Sequence, residues 1–213
     1  MNGVETWHYE ALGKAACAAL AKNGFDARYA ASGGEALDLL LSFVKRGMQV
    51  GFGGSTTVGG LGVQQRAREL GAVVLDHNEP GLDAERRLEV RRAQLVCDLF
   101  VSSTNALTLD GELLNVDGNG NRIAALTFGP RKTVVVAGAN KIVRDLDEGF
   151  ERIRLLAAPM NNKRLDKPNP CVKAGSCQDC KGDSRLCRAY SILKRRPGLS
   201  DFTVIVVGES LGF

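Results

Sequence analysis

Short apolar strands alternate with helical stretches along most of this chain, and that alternation constrains its fold more than any other feature. Residues 132–138, with Thr133-Val134-Val135-Val136-Ala137 inside them, form the plainest strand, and 202–207 is a second run of the buried type. Shorter strands are expected at 25–30, 48–52, 72–76 and 99–103. Helical spacing appears between them, at 9–22, 34–45, 57–70, 83–96 and 145–156. The first of these helices is stopped by Asn23-Gly24, and the second places Ala36, Leu37, Leu40, Leu41 and Val44 on one face. Strands separated by helices of this length predict βαβ units and a mostly parallel sheet, hence an α/β fold. Between 106 and 128 the pattern changes to the turn pairs Asp110-Gly111, Asp117-Gly118 and Asn119-Gly120, which predict a small antiparallel insertion.

A length of 213 residues with 44% hydrophobic residues fits one globular domain over 1–213. No apolar run is long enough to span a bilayer, and the first residues have no apolar core of a secretory signal. A cytoplasmic setting with reduced thiols is therefore expected. The net charge of +4 is unevenly placed. Residues 163–196 hold ten Lys or Arg against three Asp, and they include four of the six cysteines. The stretch 161–197 reads as a basic, cysteine-bearing insertion before the last strand.

Four features can carry chemistry. The first is GFGGSTTVGGLG at 51–62, where a strand hands over to a helix. Glycines there allow close backbone approach, and Gly53, Gly54, Ser55, Thr56 and Thr57 together suit an anion or a phosphate. The same residues also make an ordinary capped turn. The second is 102–125, starting at a strand end, where open α/β sheets place their ligands. It offers Asp110, Glu112, Asn115, Asp117, Asn121 and Arg122: carboxylates for nucleophilic or base work, amides and a guanidinium to orient a polar substrate. The third is Asn140-Lys141, directly after the plainest strand and facing the same sheet edge. The fourth is Cys171, Cys177, Cys180 and Cys187. Four thiols within 17 residues argue for a metal rather than disulfides in a reducing compartment, either an iron–sulfur cluster or zinc. The basic surplus could instead meet RNA, but the segment holds a single aromatic, Tyr190, and no recognised motif, which argues against nucleic acid. Cys17 and Cys97 fall in apolar helical patterns and read as core, Trp7 as a packing residue and His77 as a loop residue.

The glycine loop, Asp-Gly-Glu-Leu-Leu-Asn-Val-Asp-Gly at 110–118 with Gly-Asn-Arg at 120–122, and Gly-Ala-Asn-Lys-Ile-Val at 138–143 together resemble the lactate-utilisation (LUD) domain family. The resemblance covers nearly the whole chain, including its Val-Gly-Glu-Ser-Leu-Gly-Phe end. It implies a three-layer α/β/α fold similar to the ribose-phosphate isomerase and CoA-transferase superfamily, whose members bind phosphosugars, CoA esters or folates near a glycine loop. By that resemblance residues 53–57 take the anion, and Asp110, Glu112 and Lys141 face the substrate as catalytic groups. The family takes part in oxidising lactate to pyruvate beside iron–sulfur subunits, which implies a redox protein partner. The four cysteines depart from the short family subunit and resemble a stand-alone, cysteine-bearing branch. The expected function is binding of a small anionic metabolite in lactate or organic-acid metabolism, as a redox subunit with a tetracysteine site. Two alternatives accompany it. One is an isomerase or acyl/CoA transferase using Asp110 or Glu112. The other is a non-catalytic module docking through the basic cysteine segment. The oligomeric state is left open.

Overall fold

The structure, a computed structural model, describes residues 2–213. Its centre is a pair of neighbouring parallel strands, β7 (Lys132–Gly138) and β10 (Asp201–Val207). In each, every residue after the first is buried, as expected of parallel strands covered on both faces. Four more strands extend them: β1 (Asp26–Ala30), β2 (Gln49–Phe52), β3 (Val73–Leu75) and β4 (Leu99–Ser102). The order is β1-β10-β7-β4-β2-β3, and every neighbouring pair is parallel.

Alternate residues of these strands feed two separate cores, one on each face. Phe100, Val135, Ala137, Phe202, Val204 and Val206 pack with Ala16 and Leu20 of α1 (Gly3–Lys22) and with Ala125 and Leu126 of α6 (Asn121–Thr127). Val50, Phe52, Val101, Val134, Val136, Ile205 and Val207 pack on the other face. Their partners include Ala36 and Leu40 of α2 (Gly33–Leu41), Val58 of α3 (Thr56–Gly60), and Val63 and Ala67 of α4 (Val63–Glu69). The expected mixed α/β fold with helices on both sides of a parallel sheet is therefore present. The one charged helix with no buried residue is α5 (Ala84–Ala93).

A second sheet takes the place of the expected antiparallel insertion. It is ordered β8 (Ile142–Val143), β5 (Ala106–Thr108), β6 (Leu113–Asp117) and β9 (Ala189–Leu193). The hairpin β5–β6 turns at Gly111, whose φ is +77°. The fourth strand, β9, comes from the far side of the cysteine segment and pairs antiparallel with β6, from Leu113↔Leu193 to Asp117↔Ala189. Residues 161–197 are thus more than a loop. They finish α8 (Ala158–Arg164), form the single turn α9 (Cys171–Ala174), and return to the sheet.

Local chemistry explains where the elements differ from the sequence pattern. The helix expected at 57–70 is two helices, because Gly62 sits between them with φ +70°. The helix expected at 145–156 stops as α7 (Leu146–Arg152) and passes into a π-helical turn, Ile153–Ala157, before α8. Such turns re-aim side chains inside a helix. Trp7 is 65% exposed on α1 and is not a packing residue.

Glycines at two positive-φ turns separate strain from clash. A Cβ at Gly111 would meet the backbone of Ala19 and Leu20 at 2.6 Å, whereas one at Gly120 (φ +78°) would meet nothing. Gly120→Ala should therefore cost about 1–2 kcal/mol, the left-handed penalty alone. Gly111→Ala should cost clearly more, because α1 must shift away. Urea unfolding midpoints of the two variants check this.

Candidate functional site

All six strands of the main sheet run the same way, so their C-terminal ends gather along one edge. The chain turns outward from β2 to β3 on one side and runs from β4 towards β7, β10 and β1 on the other. The crevice where an open parallel sheet binds ligands falls at such a switch, here between β2 and β4. A cavity of about 260 Å³ opens there. Its floor is Gly53–Thr56 after β2, His77 and Asn78 after β3, and Ser102 to Asn105 after β4. Residues 116–122 after β6 and Lys141 after β7 form one wall, and Ala157 to Leu165 another. Leu186 and Cys187 reach the same cavity, so the cysteine segment and the glycine loop share one site.

Close approach decides the glycines here. A Cβ on Gly53 would lie 2.6 Å from Ser102 Oγ and 3.2 Å from Arg122 Cδ. A Cβ on Gly51 would lie 3.0 Å from Cys97 Sγ and 3.1 Å from Gln94 Cγ. That second contact matters because buried Gln94 joins two strand ends: its Nε2 donates to Phe52 O (3.0 Å) and Leu75 O (2.8 Å). The same nitrogen lies 3.2 Å from His77 Nδ1. Ser55 is spent locally, its Oγ accepting from the Val58 N–H to cap the five-residue α3.

Arg122 is the central pin. All five of its N–H groups are committed inside the protein. Nε donates to Asp117 Oδ1 (2.8 Å), Nη1 to Ser103 O (2.9 Å) and Asn115 Oδ1 (2.7 Å), and Nη2 to Asn105 Oδ1 (2.8 Å) and Val116 O (2.9 Å). Asp117 uses its second oxygen to accept from the Ile123 N–H (3.0 Å). Arg122 and Asp117 therefore shape the pocket rather than hold a ligand, and Asn115 is fully buried behind them. Asn121 does face the cavity.

Lys141 is 2% exposed. Its Nζ lies 2.8 Å from Thr57 Oγ1, 2.9 Å from Ser103 Oγ and 3.3 Å from Thr104 O, with no carboxylate partner. Burial first, then repulsion from the Arg152 and Arg122 guanidinia, pull its pKa down to about 7. Burial and the nearby Arg91 likewise lower His77. Arg91 and Arg164 also line the cavity, and neither forms an ion pair among the described residues. The Arg91 Nε is buried with no hydrogen-bond partner.

Several expected residues stand elsewhere. Asp110 and Glu112 lie at the β5–β6 turn, outside the cavity lining. The Asp110 carbonyl accepts from Asn23, and Glu112 faces Lys194 at 3.3 Å. Asn140 clamps the chain's end: its Oδ1 accepts from the Leu211 N–H and its Nδ2 donates to Gly212 O. Conversely, Arg91, Ser103 and Arg164 were not singled out by sequence, and His77, read as a loop residue, lines the cavity. Ser103 follows β4 directly, which was the available signal.

The four clustered cysteines are free thiols, as are Cys17 and Cys97. Among the described residues, no three Cys, His, Asp or Glu side chains converge on a point a metal ion could occupy. The four thiols still sense one another: burial first, then the charges of Cys177, Cys171 and Cys180, push the Cys187 thiol up to about 11, against the nearby Arg185. The loop they occupy is held by Arg185, which donates to Asp179 Oδ1 (2.8 Å), Cys180 O and Cys187 O (2.7 Å). Among the described residues no helix is long and apolar enough to cross a membrane.

Two outcomes follow from this geometry. Arg122→Met should destabilise by about 3–5 kcal/mol, the cost of leaving a buried carboxylate and its neighbours unpaired. Asp117→Asn added to it should recover part of that loss, as read by denaturant melts. Lys141 has its folded pKa lowered, so between about pH 7 and 10.5 the unfolded chain binds more protons than the folded one. Its contribution to stability should therefore rise with pH across that window and be at its least below pH 7. Lys141→Met should flatten the pH dependence of the melting temperature.

Comparison with known proteins agrees with this architecture. No curated protein matches the chain. A crystal structure of a DUF162 family protein from Deinococcus radiodurans is similar in fold, with a TM-score of 0.50 and 16% identity over 93% of this chain and 98% of that one. The model of the LUD domain matches residues 14–207, which include the glycine loop, the Arg122 network, Lys141 and the cysteine segment. The chain belongs to the LUD domain family.

Proposed function

We propose that this LUD-domain protein binds a small anionic metabolite at the strand-end cavity, in organic-acid metabolism of the kind lactate utilisation represents. The observation that carries this reading is the charge of the lining. Among the described residues, Arg91, Arg164 and Lys141 face the cavity without side-chain carboxylate partners, and its one side-chain carboxylate, Asp117, is spent on Arg122. Lys141 is buried and the Arg91 Nε is buried without a hydrogen-bond partner, and desolvated cations left without a counter-charge are costly unless an anion completes them; Arg164 stands at the exposed rim. The cavity volume suits a metabolite of a few heavy atoms more than a large cofactor.

In this reading Arg91 and Arg164 supply permanent charge, and Lys141 adds to it once protonated. The glycine loop supplies a close backbone wall. The cysteine segment acts as a side of the pocket through Leu186 and Cys187. A metal on the four thiols, and electron transfer to a redox partner, would require that segment to rearrange. Iron, zinc and sulfide analysis of protein purified without oxygen tests that.

The test of the binding reading is calorimetric titration with phosphate, lactate, pyruvate and citrate. At least one should bind, with affinity rising from pH 8 to pH 6 as Lys141 charges. Arg91→Met and Arg164→Met should each weaken it by about tenfold, the loss of one charge-assisted hydrogen bond. Absence of binding by every anion at millimolar concentration would overturn the assignment.

A further inference from the structure

Lys141 has more than charge around it. Its nitrogen is held by two hydroxyls and one carbonyl, and the proton inventory of these groups is unequal. The Thr57 hydroxyl donates to Leu211 O at 3.1 Å, so towards Lys141 it can only accept. Thr104 O is an acceptor by nature. An uncharged amine has two N–H groups and one lone pair, and these two acceptors take both N–H groups. The lone pair is left facing Ser103 Oγ at 2.9 Å. The only other acceptor for the Ser103 hydroxyl is Thr104 O at 3.4 Å, a poorer partner. With the amine uncharged, the serine proton is thus directed at the lysine nitrogen; when the amine is protonated, the same nitrogen donates to Ser103 Oγ.

We propose that Ser103 and Lys141 form a nucleophile–base pair that transfers the acyl group of a small carboxylate-bearing ester. This rests on the anion-binding reading of the same cavity, with Arg91 and Arg164 taking the carboxylate. Both reacting groups line the cavity, at the end of β4 and just after β7. The charged groups around the amine favour its free-base form. They are Arg122, itself neutralised by Asp117, and Arg152, whose Nε donates to Asn140 O (3.0 Å). With a pKa near 7, the amine is available as a base at neutral pH. Thr57 is a positioning residue, fixing the amine without giving it a proton.

The step balances without a redox partner. Ser103 Oγ adds to the acyl carbon as its proton passes to Lys141 Nζ. The bond from acyl carbon to the leaving oxygen breaks, and that oxygen takes the proton from the Lys141 ammonium. The resulting acyl-serine is attacked by water, which gives a proton to Nζ. The bond from acyl carbon to Oγ then breaks, and Oγ recovers its proton. The net change is ester plus water to acid plus alcohol.

The experiment uses the full chain with the p-nitrophenyl half-ester of succinic acid, and phosphate titration beside it. A burst of p-nitrophenolate and a succinyl adduct mapped to Ser103 by mass spectrometry are expected, with the acylation rate rising with pH through about 7. Ser103→Ala should lose the adduct. Lys141→Met should slow acylation by roughly a hundredfold or more while a cooperative thermal melt is retained. An adduct at another residue, or none in protein that binds phosphate, overturns the pair. Loss of phosphate binding by the native protein as well would overturn the anion site with it.

Discussion

Five hydrogen bonds from one guanidinium tie the two sheets to each other at the cavity, beside the apolar core that both sheets share. Arg122 reaches the segment after β4 through Ser103 O and Asn105, and strand β6 through Asn115, Val116 and Asp117. It therefore stitches the parallel sheet to the small sheet at the point where the cavity opens. A lysine could not replace it, because three donors on a point charge cannot address five acceptors fixed in a plane. A side chain at position 53 would meet Ser102 Oγ first, at 2.6 Å, and crowd the arginine stem at 3.2 Å.

The division between scaffold and chemistry is then simple. Two apolar cores on either face of the sheet fix the strands, and only the strand ends are polar. Cations brought together by different strands and helices meet there with too few carboxylates to balance them. Lys141 shows how far the environment changes a residue: the surface version of the same side chain is always charged at neutral pH, and this one is poised between its two forms.

Much of the fold was legible because parallel strands buried on both faces are written as unbroken apolar runs. The bounds of β7 match that run residue for residue, and β10 begins one residue earlier than read. The glycine loop and Lys141 were legible as residues of the strand-end cavity because they come just after strands. Asp110 and Glu112 misled for a physical reason. Carboxylates beside glycine serve hairpin turns as readily as catalysis, and which is the case depends on where the hairpin points. Arg91 was hidden in a helix whose pattern is that of a solvated face, and only the tertiary packing of α5 beside β3 brings it to the cavity. The thiols share a short span of sequence, and the structure keeps them near enough to raise one another's pKa, in a loop held by Arg185.

The strand order has a consequence for how the molecule comes into being. β10, the last strand made, lies between β1, the first, and β7. Until residues 201–207 arrive, α1 and β1 have no neighbour in the sheet, and β7 exposes one edge. Such a topology delays a large share of its contacts until residues 201–207 are made and makes folding slow relative to chains with local pairing. The long first helix, with its own capping box at Asn2 and Glu5, gives the waiting N-terminal portion structure of its own during that interval.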